Sequence, residues 1–423
     1  MERVMRAERL RVGATMLVVV ISVVAAACGS ATPTPTVEAS AAPSSTPLVA
    51  SPSPSPTPSP TPSPSPTLAH GQFSPTGSLV TGRSDATTEV LPDGRVLLIG
   101  GTGGPKDIAV SSCELFDPAK GTFSATASLD MVRDGLASAV LADGRVLVAG
   151  GDDDVGGGTT ESAVLYDPAT GTFSPTGSLR TARIDAAAVR LNGGRVLVVG
   201  GFTEVGIMAP PQLGWFASAE LYDPASRTFS PTGFMRWRRD DPVAVLLRDG
   251  RVLVTGGTDF DGNNLRTAEI YDPATGKFTT TGSMATARDG YSATVLADGR
   301  VLIAGGVDQK YEALASAEIY DPASGKFTTT GSMGTARSGY AAVLLRNGQV
   351  LIAGGTTGGD TDGTPLSSAE LFDSAAGTFT PTGQMADART GASAALLSDG
   401  RVVIAGGQDD VLVALQSAEM YQP

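Results

Sequence analysis

The sequence predicts an all-β chain in which seven similar units form a seven-bladed β-propeller. Diglycines recur seven times at intervals of 49 to 56 residues, from Gly100-Gly101 to Gly406-Gly407, and such a period indicates one supersecondary unit per repeat. The 423 residues include 53 Gly and 28 Pro but only 5% aromatic residues. This composition disfavours helices and suits short strands joined by many turns, and four-stranded units repeated radially make a propeller.

The fifth repeat shows why each unit is expected to hold four antiparallel strands. Asp298-Gly299 separates two apolar runs, and this dipeptide is a strong hairpin signal because both residues tolerate positive φ. Asp321 and Gly325 bound a second turn further along the repeat. The strands predicted around these turns are residues 291–296, 300–304, 317–320 and 326–329. We therefore expect each blade to be a four-stranded meander with its first strand innermost.

The two ends of the repeat region predict that the N-terminal strand closes the last blade. Residues 71–79 match only the fourth strand of a repeat, and the chain stops at Pro423, just after a third strand. Residues 71–423 would thus form one domain of seven blades without an unpaired fragment or an exposed sheet edge. A linear β-solenoid is the structural alternative.

Residues 1–28 have the features of an export signal. Four arginines lie within the first eleven residues, and the uncharged stretch 12–27 is shorter than the ~20 residues that span a bilayer. The stretch ends at Cys28, in a context that resembles the lipobox of bacterial lipoproteins, although Ala25 stands where that family usually has Leu. We expect lipidation of Cys28. Cleavage after an alanine and an uncleaved anchor are the alternatives.

Residues 29–70 form a Pro/Ser/Thr-rich segment that is expected to be a disordered tether. Pro mostly alternates with Ser or Thr from position 51 to 67, which favours extended polyproline II. The tether would hold the domain 71–423 away from the membrane, at the cell surface or in the periplasm. Without lipidation the protein would be secreted. A leader with no role beyond solubility is the alternative for this segment.

The repeats resemble the Kelch family over about 350 residues. In each repeat a diglycine follows an apolar strand, and in six repeats a Tyr-Asp-Pro motif or a close variant precedes a further aromatic residue by six or seven positions. That aromatic is Phe where Kelch repeats usually carry Trp, at Phe123, Phe173, Phe229, Phe278, Phe327 and Phe379. The resemblance implies a Kelch-type propeller of the bacterial secreted branch, similar to the central domain of galactose oxidase.

Net charge and histidine content argue against several partners and several kinds of catalytic site. A net charge of -13 argues against nucleic acid or an anionic membrane as partner, so the membrane would be reached only through the lipid anchor. The single histidine, His70, precedes the propeller, which leaves no imidazole for copper, zinc or Ser-His chemistry. We expect no catalytic residue, no metal and no cofactor, and a monomer. Carboxylate-based glycosidase or sialidase-like chemistry stays open.

Most recurring residues are expected to be structural. The diglycines would supply positive φ and close backbone approach, and each turn Asp would cap its own hairpin. Cys113 stands where most repeats have Ala and is expected to be a small buried side chain. The Asp-rich loops 259–264 and 360–363 are expected to be solvated turns rather than calcium sites, because they lack a terminal bidentate Glu.

Loop lengths indicate which face of the propeller carries function. The spans between second and third strands measure 13, 13, 19, 12, 12, 15 and 12 residues, whereas the other turns are uniform. Variation is therefore concentrated on one face, which the connections between blades share, and Kelch proteins usually bind partners there. We expect an extracytoplasmic module that binds a protein, peptide or glycan through this face. A structural envelope protein without a discrete ligand is the main alternative.

A first set of candidate binding residues is one arginine before the first strand of each repeat. We expect these side chains to surround the axial mouth of the variable face, where they could bind a carboxylate or sulfated ligand. The seven are Arg83, Arg133, Arg183, Arg239, Arg288, Arg337 and Arg389. Alternatively, each arginine braces its own blade by pairing with a third-strand glutamate, which recurs as Glu114, Glu220, Glu269, Glu318, Glu370 and Glu419.

A second set lies in blade three. Its loop 202–217 is the longest and most apolar, and it ends with Trp215 and Phe216. The following connection holds Trp237 between Arg236 and Arg238, and these are the only two tryptophans in the chain. Trp and Arg are enriched in binding hot spots, and an aromatic platform could stack on a sugar. The equally open alternative is a small satellite core that buries both indoles.

Overall fold

The computed structural model describes residues 71–103, 108–152, 158–203, 214–358 and 363–423. The expected export signal with Cys28, the expected tether and most of the loop 202–217 lie outside these ranges. The described residues form strands and turns and contain no helix. None of their segments is a helix with the length and apolarity needed to cross a membrane.

The described residues contain seven four-stranded antiparallel sheets. Sheet one comprises Thr87–Val90, Val96–Ile99, Cys113–Asp117 and Thr122–Ala125. Sheet two comprises Ala137–Val140, Val146–Ala149, Ala163–Asp167 and Thr172–Pro175. Sheet three comprises Ala187–Arg190, Val196–Val199, Ser218–Asp223 and Thr228–Phe234. Sheet four comprises Val243–Leu246, Val252–Thr255, Ala268–Asp272 and Lys277–Thr280.

The remaining three sheets follow the same order along the chain. Sheet five comprises Ser292–Val295, Val301–Ala304, Ala317–Asp321 and Lys326–Thr329. Sheet six comprises Ala341–Leu344, Val350–Ala353, Ser368–Asp373 and Thr378–Gln384. Sheet seven comprises Ser393–Leu396, Val402–Ala405, Ala418–Gln422 and, as its fourth strand, Gln72–Pro75. Five short strands pair separately, namely Arg83–Ser84, Thr102–Gly103, Ile108–Ala109, Phe202–Thr203 and Gly214–Trp215.

The core lies between successive sheets. Second strands such as Val301–Ala304 are completely buried, because strands flank them on both sides and neighbouring sheets cover both of their faces. Leu302 and Ile319 of sheet five, for example, pack in one cluster with Val350 and Ile352 of sheet six. This burial explains why the second strands are continuous runs of Val, Leu, Ile and Ala, apart from the buried Thr255, rather than alternating polar and apolar residues.

The turns confirm the structural interpretation of the recurring Asp and Gly residues. The Asp298 carboxylate accepts a hydrogen bond from the Arg300 amide at 3.0 Å, and Gly299 has φ 91°. Asp321 accepts one from the Ala323 amide at 3.0 Å. A Cβ on Gly305, the first glycine of its pair, would lie 2.6 Å from the Arg337 carbonyl oxygen. In the fifth repeat the first two strands, Ser292–Val295 and Val301–Ala304, are shorter than predicted, the third extends one residue further to Asp321, and the fourth is as predicted.

The two ends of the repeat region meet in sheet seven. Gln72 pairs with Gln422 and Phe73 with Tyr421, so residues near the N-terminus of the described region supply the fourth strand, as expected. The contacts between sheets seven and one repeat those between successive sheets. Arg401 donates to the Pro118 carbonyl at 3.4 Å as Arg95 donates to the Pro168 carbonyl at 2.9 Å.

Each sheet has two unlike ends. One end carries the turns between first and second and between third and fourth strands, and is called here the tight-turn face. The other end carries the loops between second and third strands and the connections between sheets, and is called the variable-loop face. The first described residue, Gly71, lies at the tight-turn end of its strand.

Candidate binding site

The seven repeated arginines are buried, so the expectation of an open arginine ring is wrong. Each side chain is at most 1% exposed. Arg288 shows the arrangement: its Nη1 donates to the carbonyl oxygens of Gly305 (2.7 Å) and Ser316 (3.0 Å), and its Nη2 donates to Glu318 (3.1 Å). The guanidinium thus ties the diglycine to the third strand instead of facing the axial mouth.

Pairing of these arginines with third-strand glutamates is confirmed in six sheets. The Nη2–Oε1 distances range from 2.8 Å for Arg83–Glu114 to 3.3 Å for Arg239–Glu269. The same carboxylates accept backbone hydrogen bonds from the connection between sheets, as Glu318 does from the Ala285 amide at 2.8 Å. Burial lowers the pKa of Arg239, and the negative charge of Glu269 opposes that shift. The geometry favours bracing of each sheet, and a ligand role for the ring is not supported by its burial.

Sheet two lacks the third-strand glutamate, and its arginine pairs with a different carboxylate. Val164 occupies the glutamate position, and the buried Arg133 instead donates to Asp130 at 3.0 Å. Asp130 is 53% exposed, so solvent screens this ion pair. Sheet two therefore has the weakest brace among the described sheets.

Trp215 is neither a free platform nor a fully buried core residue. Its short strand Gly214–Trp215 pairs with Phe202–Thr203, and its indole stacks on Phe202 at 5.5 Å between ring centroids. Phe260 of the next repeat packs almost perpendicular to the indole at 5.3 Å. The indole N–H is buried and has no hydrogen-bond partner among the described residues. The structure thus brings together aromatic side chains from two adjacent variable loops.

The other blade-three candidates have distinct surroundings. Arg183 lies over the ring of Phe216 at 5.1 Å. Trp237 is partly buried, with the guanidinium carbons of Arg236 at 5.2 Å and Arg239 at 5.8 Å from its ring centroid. Arg236 and Arg238 are exposed. These two exposed cations on the variable-loop face are available to a partner, whereas the buried Arg239 is not.

Three loops on the variable-loop face share one conformation that sequence reasoning missed. Residues 259–263, 308–312 and 409–413, called here the tip turns, each begin with an Asp whose side chain caps the turn. Asp409 accepts hydrogen bonds from the amides of Val411 (3.1 Å) and Val413 (2.9 Å), and Asp308 accepts equivalent ones from Lys310 and Glu312. The Asp259 loop, expected to be a solvated turn, has the same capped geometry.

The tip turns hold large apolar side chains in solvent. Phe260 is 55% exposed and Tyr311 40%, while Val411, Leu412 and Val413 are 70%, 54% and 55% exposed. The sequence contains one signal of this exposed apolar surface, because Val411–Val413 is an apolar run in a loop rather than in a strand. Only the fold shows that this turn points away from the sheets and exposes the run to solvent.

First-strand residues of sheets one to five, mainly Ala and Val, form the wall of an open depression of about 400 Å³. Glu89 lies in this wall and accepts a hydrogen bond from the Ser138 hydroxyl at 2.5 Å. Burial raises the pKa of Glu89, and the hydrogen bond from Ser138 partly offsets that shift. Cys113 is buried as expected, at 1% exposure, and burial raises its pKa to about 11.

Two comparisons with known proteins bear on this architecture. Residues 242–285 and 290–334, the fourth and fifth repeats, match the family model of the Kelch motif. Among solved structures the chain is similar to a fungal alcohol oxidase of the AA5 family in complex with copper. That likeness has a TM-score of 0.66 at 19% sequence identity and covers 84% of this chain and 77% of the oxidase chain.

At this identity the likeness concerns the fold alone. Among the described residues no group of three or more His, Cys, Asp or Glu side chains is placed to hold a metal ion. No curated protein sequence matches the chain. For this all-β chain of four-stranded sheets, the match to the Kelch motif thus covers repeats four and five, and the likeness to the oxidase extends to the fold.

Proposed function

We propose that residues 71–423 form a closed seven-bladed Kelch propeller that binds a protein, peptide or glycan through its variable-loop face. Closure is supported by the pairing of Gln72–Pro75 with Ala418–Gln422 and by the Asp85 amide, which donates to the Gly391 carbonyl at 2.8 Å between sheets one and seven. In this arrangement Gln72–Pro75 covers the edge of the third strand of sheet seven, which would otherwise be unpaired.

The distribution of exposed apolar side chains carries the proposal of binding. Eight of the nine large apolar residues that are exposed among the described residues lie on the variable-loop face, and the exception is Val90. The eight are Val80, Ile108, Phe234, Phe260, Tyr311, Val411, Leu412 and Val413. Single exposed apolar residues are ordinary, but their concentration on one face is typical of an interaction surface.

An extracytoplasmic location is proposed from the N-terminal sequence. The basic residues before the apolar stretch 12–27, the lipobox-like end at Cys28 and the Pro-rich segment 29–70 together fit a bacterial lipoprotein on a tether. Metabolic labelling with a fatty-acid probe should tag the full chain and should fail to tag Cys28→Ser. Labelling of Cys28→Ser at the wild-type level would contradict lipidation at this residue.

Oxidase chemistry is not carried over from the structural neighbour. The only histidine of the chain, His70, precedes the sheets, so the imidazole ligands that suit copper are missing from all seven. We propose that the domain has no catalytic role and needs no cofactor.

Array screening with two groups of variants tests the proposed binding function. The full chain would be applied to peptide and glycan arrays beside variants of the connection (Arg236→Ala, Trp237→Ala) and of the tip turns (Phe260→Ser, Leu412→Ser). Val90→Ser on the opposite face is the matched control. We expect at least one array ligand to lose binding in a variable-face variant and to keep it in the control. If every ligand is insensitive to both groups, a structural envelope role is favoured.

A further inference from the structure

We propose that the three tip turns form a docking surface for a polypeptide segment that carries Lys or Arg side chains beside apolar residues. This inference rests on the proposed binding function of the variable-loop face and names the chemistry of its partner. The tip turns combine a strained backbone, hydrogen-bonded support and negative charge.

Two tip residues adopt a backbone conformation that their side chains disfavour. Tyr311 has φ 65° and Leu412 has φ 59°, at the position where the tip turn of sheet four has Gly262 with φ 76°. Bulky L-residues are rare in this left-handed region, whereas glycine enters it freely. Since both side chains are exposed, burial does not compensate for the strain. Such strain in an exposed loop points to a role outside folding.

The turns are held as rigid supports for these side chains. Besides the Asp caps, the turns of sheets four and five are joined to each other: the Asn264 amide donates to Gln309 Oε1 at 2.7 Å, and Gln309 Nε2 donates to the Gly262 carbonyl at 3.2 Å. Phe260 also packs on Trp215. Phe260 and Tyr311 therefore belong to one connected strip that runs over sheets three to five.

The third tip turn belongs to sheet seven and has its own support. Gln416 Nε2 donates to the carbonyl of Val80 at 3.2 Å, which places the exposed Val80 in the structure that supports residues 409–413. Preorganised apolar groups bind with a small loss of conformational entropy. The tip turns thus have the rigidity that an interaction surface needs.

Charge selects the class of partner. The three tip turns contain six carboxylates and one ammonium group, on Lys310. Within the described part of the chain the exposed Asp261 and Asp410 have no ion pair. On the tight-turn face, by contrast, an Asp in five turns pairs with the Arg two residues later, as Asp143 does with Arg145 at 2.6 Å. The Asp residues of these five turns are thus paired with a cation, whereas, among the described residues, Asp261 and Asp410 beside the apolar tips are not.

A cationic apolar segment complements this surface in two ways. Lys or Arg side chains can lie over the rings of Phe260 and Tyr311 while their charges meet the neighbouring carboxylates. Aliphatic side chains of the same segment can pack on Val411 and Leu412. An anionic membrane would be repelled by the carboxylates at the tips, and the indole of Trp215 already stacks on Phe202 rather than offering that face to a sugar.

Fluorescence anisotropy with defined peptides tests the inference. Three labelled peptides alternate Leu with Lys, with Glu or with Ser, and each is titrated with the full chain. We expect the Leu/Lys peptide to bind at least about tenfold more tightly than the Leu/Ser peptide and the Leu/Glu peptide to bind weakest. Equal binding of the three peptides would overturn the proposal.

Paired variants separate surface recognition from general attraction to an acidic protein. Phe260→Ser with Leu412→Ser, and separately Asp261→Asn with Asp410→Asn, should each weaken binding of the Leu/Lys peptide about tenfold. Val90→Ser, an exposed apolar residue on the opposite face, should leave it unchanged. Unchanged binding in both paired variants, at an unaltered melting temperature, would overturn the proposal.

Three further outcomes distinguish the inference from its alternatives. Tip-dependent binding to vesicles of phosphatidylcholine and phosphatidylglycerol would assign the surface to a membrane and overturn the peptide class. An array ligand that depends on Trp237 but not on the tip turns would overturn this inference while leaving the binding function intact. Failure of both variant groups to affect any ligand would instead refute the binding function itself.

Discussion

Phe73 packs against Tyr421 with ring centroids 4.8 Å apart, joining the first described strand to the last. An equivalent aromatic pair links the third and fourth strands of the other six sheets, as Tyr–Phe in four of them and as Phe–Phe in sheets one and six. Tyr320 and Phe327, for example, are also 4.8 Å apart. In addition, the Tyr421 hydroxyl is 2.9 Å from the Thr382 hydroxyl of sheet six. A strand from the opposite end of the repeat region therefore makes the contacts that a local fourth strand makes elsewhere.

Deletion of residues 71–79 should destabilise the sheets by several kcal/mol or cause aggregation. The deletion would expose the edge of Ala418–Gln422 and remove the buried Leu79, and unpaired edges template association. Thermal unfolding of the full chain and the deletion variant measures the effect. Deletion of residues 31–69 is the control and should leave the melting temperature unchanged. Equal melting of both deletion variants would refute the role of the strand.

Replacement of a third-strand glutamate that pairs with a buried arginine should lower the free energy of unfolding. Glu220→Val would remove the carboxylate that lies 3.0 Å from the buried Arg183 guanidinium. The Arg180 backbone amide would also lose its hydrogen bond to that carboxylate. Loss of one partner of a buried ion pair typically costs about 3–5 kcal/mol. Urea unfolding of Glu220→Val against wild type measures this loss.

The arrangement in sheet two suggests a second substitution that should partly restore the stability of Glu220→Val. Adding Arg180→Asp to Glu220→Val copies the arrangement of Asp130 and Val164 into sheet three. We expect the double variant to regain up to about 1 kcal/mol, the value of an exposed ion pair. A single Glu220→Val variant as stable as wild type would show that the pair does not brace the sheet.

Leu412→Gly should raise the free energy of unfolding by about 0.5–1 kcal/mol. Glycine adopts the left-handed φ without strain, and this gain exceeds its greater freedom in the unfolded chain. The neighbouring Val411 is not in the left-handed region, so Val411→Gly should instead destabilise by a similar amount. Differential scanning calorimetry of both variants measures the contrast. A lower stability for Leu412→Gly would mean that the side chain contributes to folding.

Glu89→Gln should stabilise the protein at pH 7 and have little effect in acid. The folded pKa of Glu89 lies above its usual value of 4.5 because burial disfavours the charged form. The ionised group therefore costs stability above the folded pKa, and that cost is lost as pH falls through the folded pKa towards 4.5. Chemical unfolding of wild type and Glu89→Gln from pH 7 to pH 4 should show the difference shrinking. A constant difference would contradict the burial effect.

Sequence periodicity predicted the sheets well because one pattern, repeated seven times, averages out local ambiguity. The turn residues Asp298 and Gly299 specify their hairpin through hydrogen bonds within a few residues, so their role could be inferred locally. The direction of the Arg288 side chain could not be inferred locally, because its partners Gly305 and Ser316 lie 17 and 28 residues further along the chain.

The tip turns were missed for a related reason. A loop that begins with Asp259 and contains Gly262 is chemically similar to a solvated turn, and only the fold shows that Phe260 meets Trp215 from another repeat. Comparison of Gly262 with Leu412 likewise needs the backbone angles. Contacts between repeats are tertiary, whereas the periodic pattern reports only what happens within one repeat.

Hydrogen–deuterium exchange tests the central claim, that the variable-loop face is the binding surface. The full chain would be compared with and without a saturating ligand from the array or peptide experiments. We predict protection of amides in residues 259–263, 308–312 and 409–413, and unchanged exchange in the tight turns at residues 298–300 and 321–325. Protection confined to the tight turns would contradict the account.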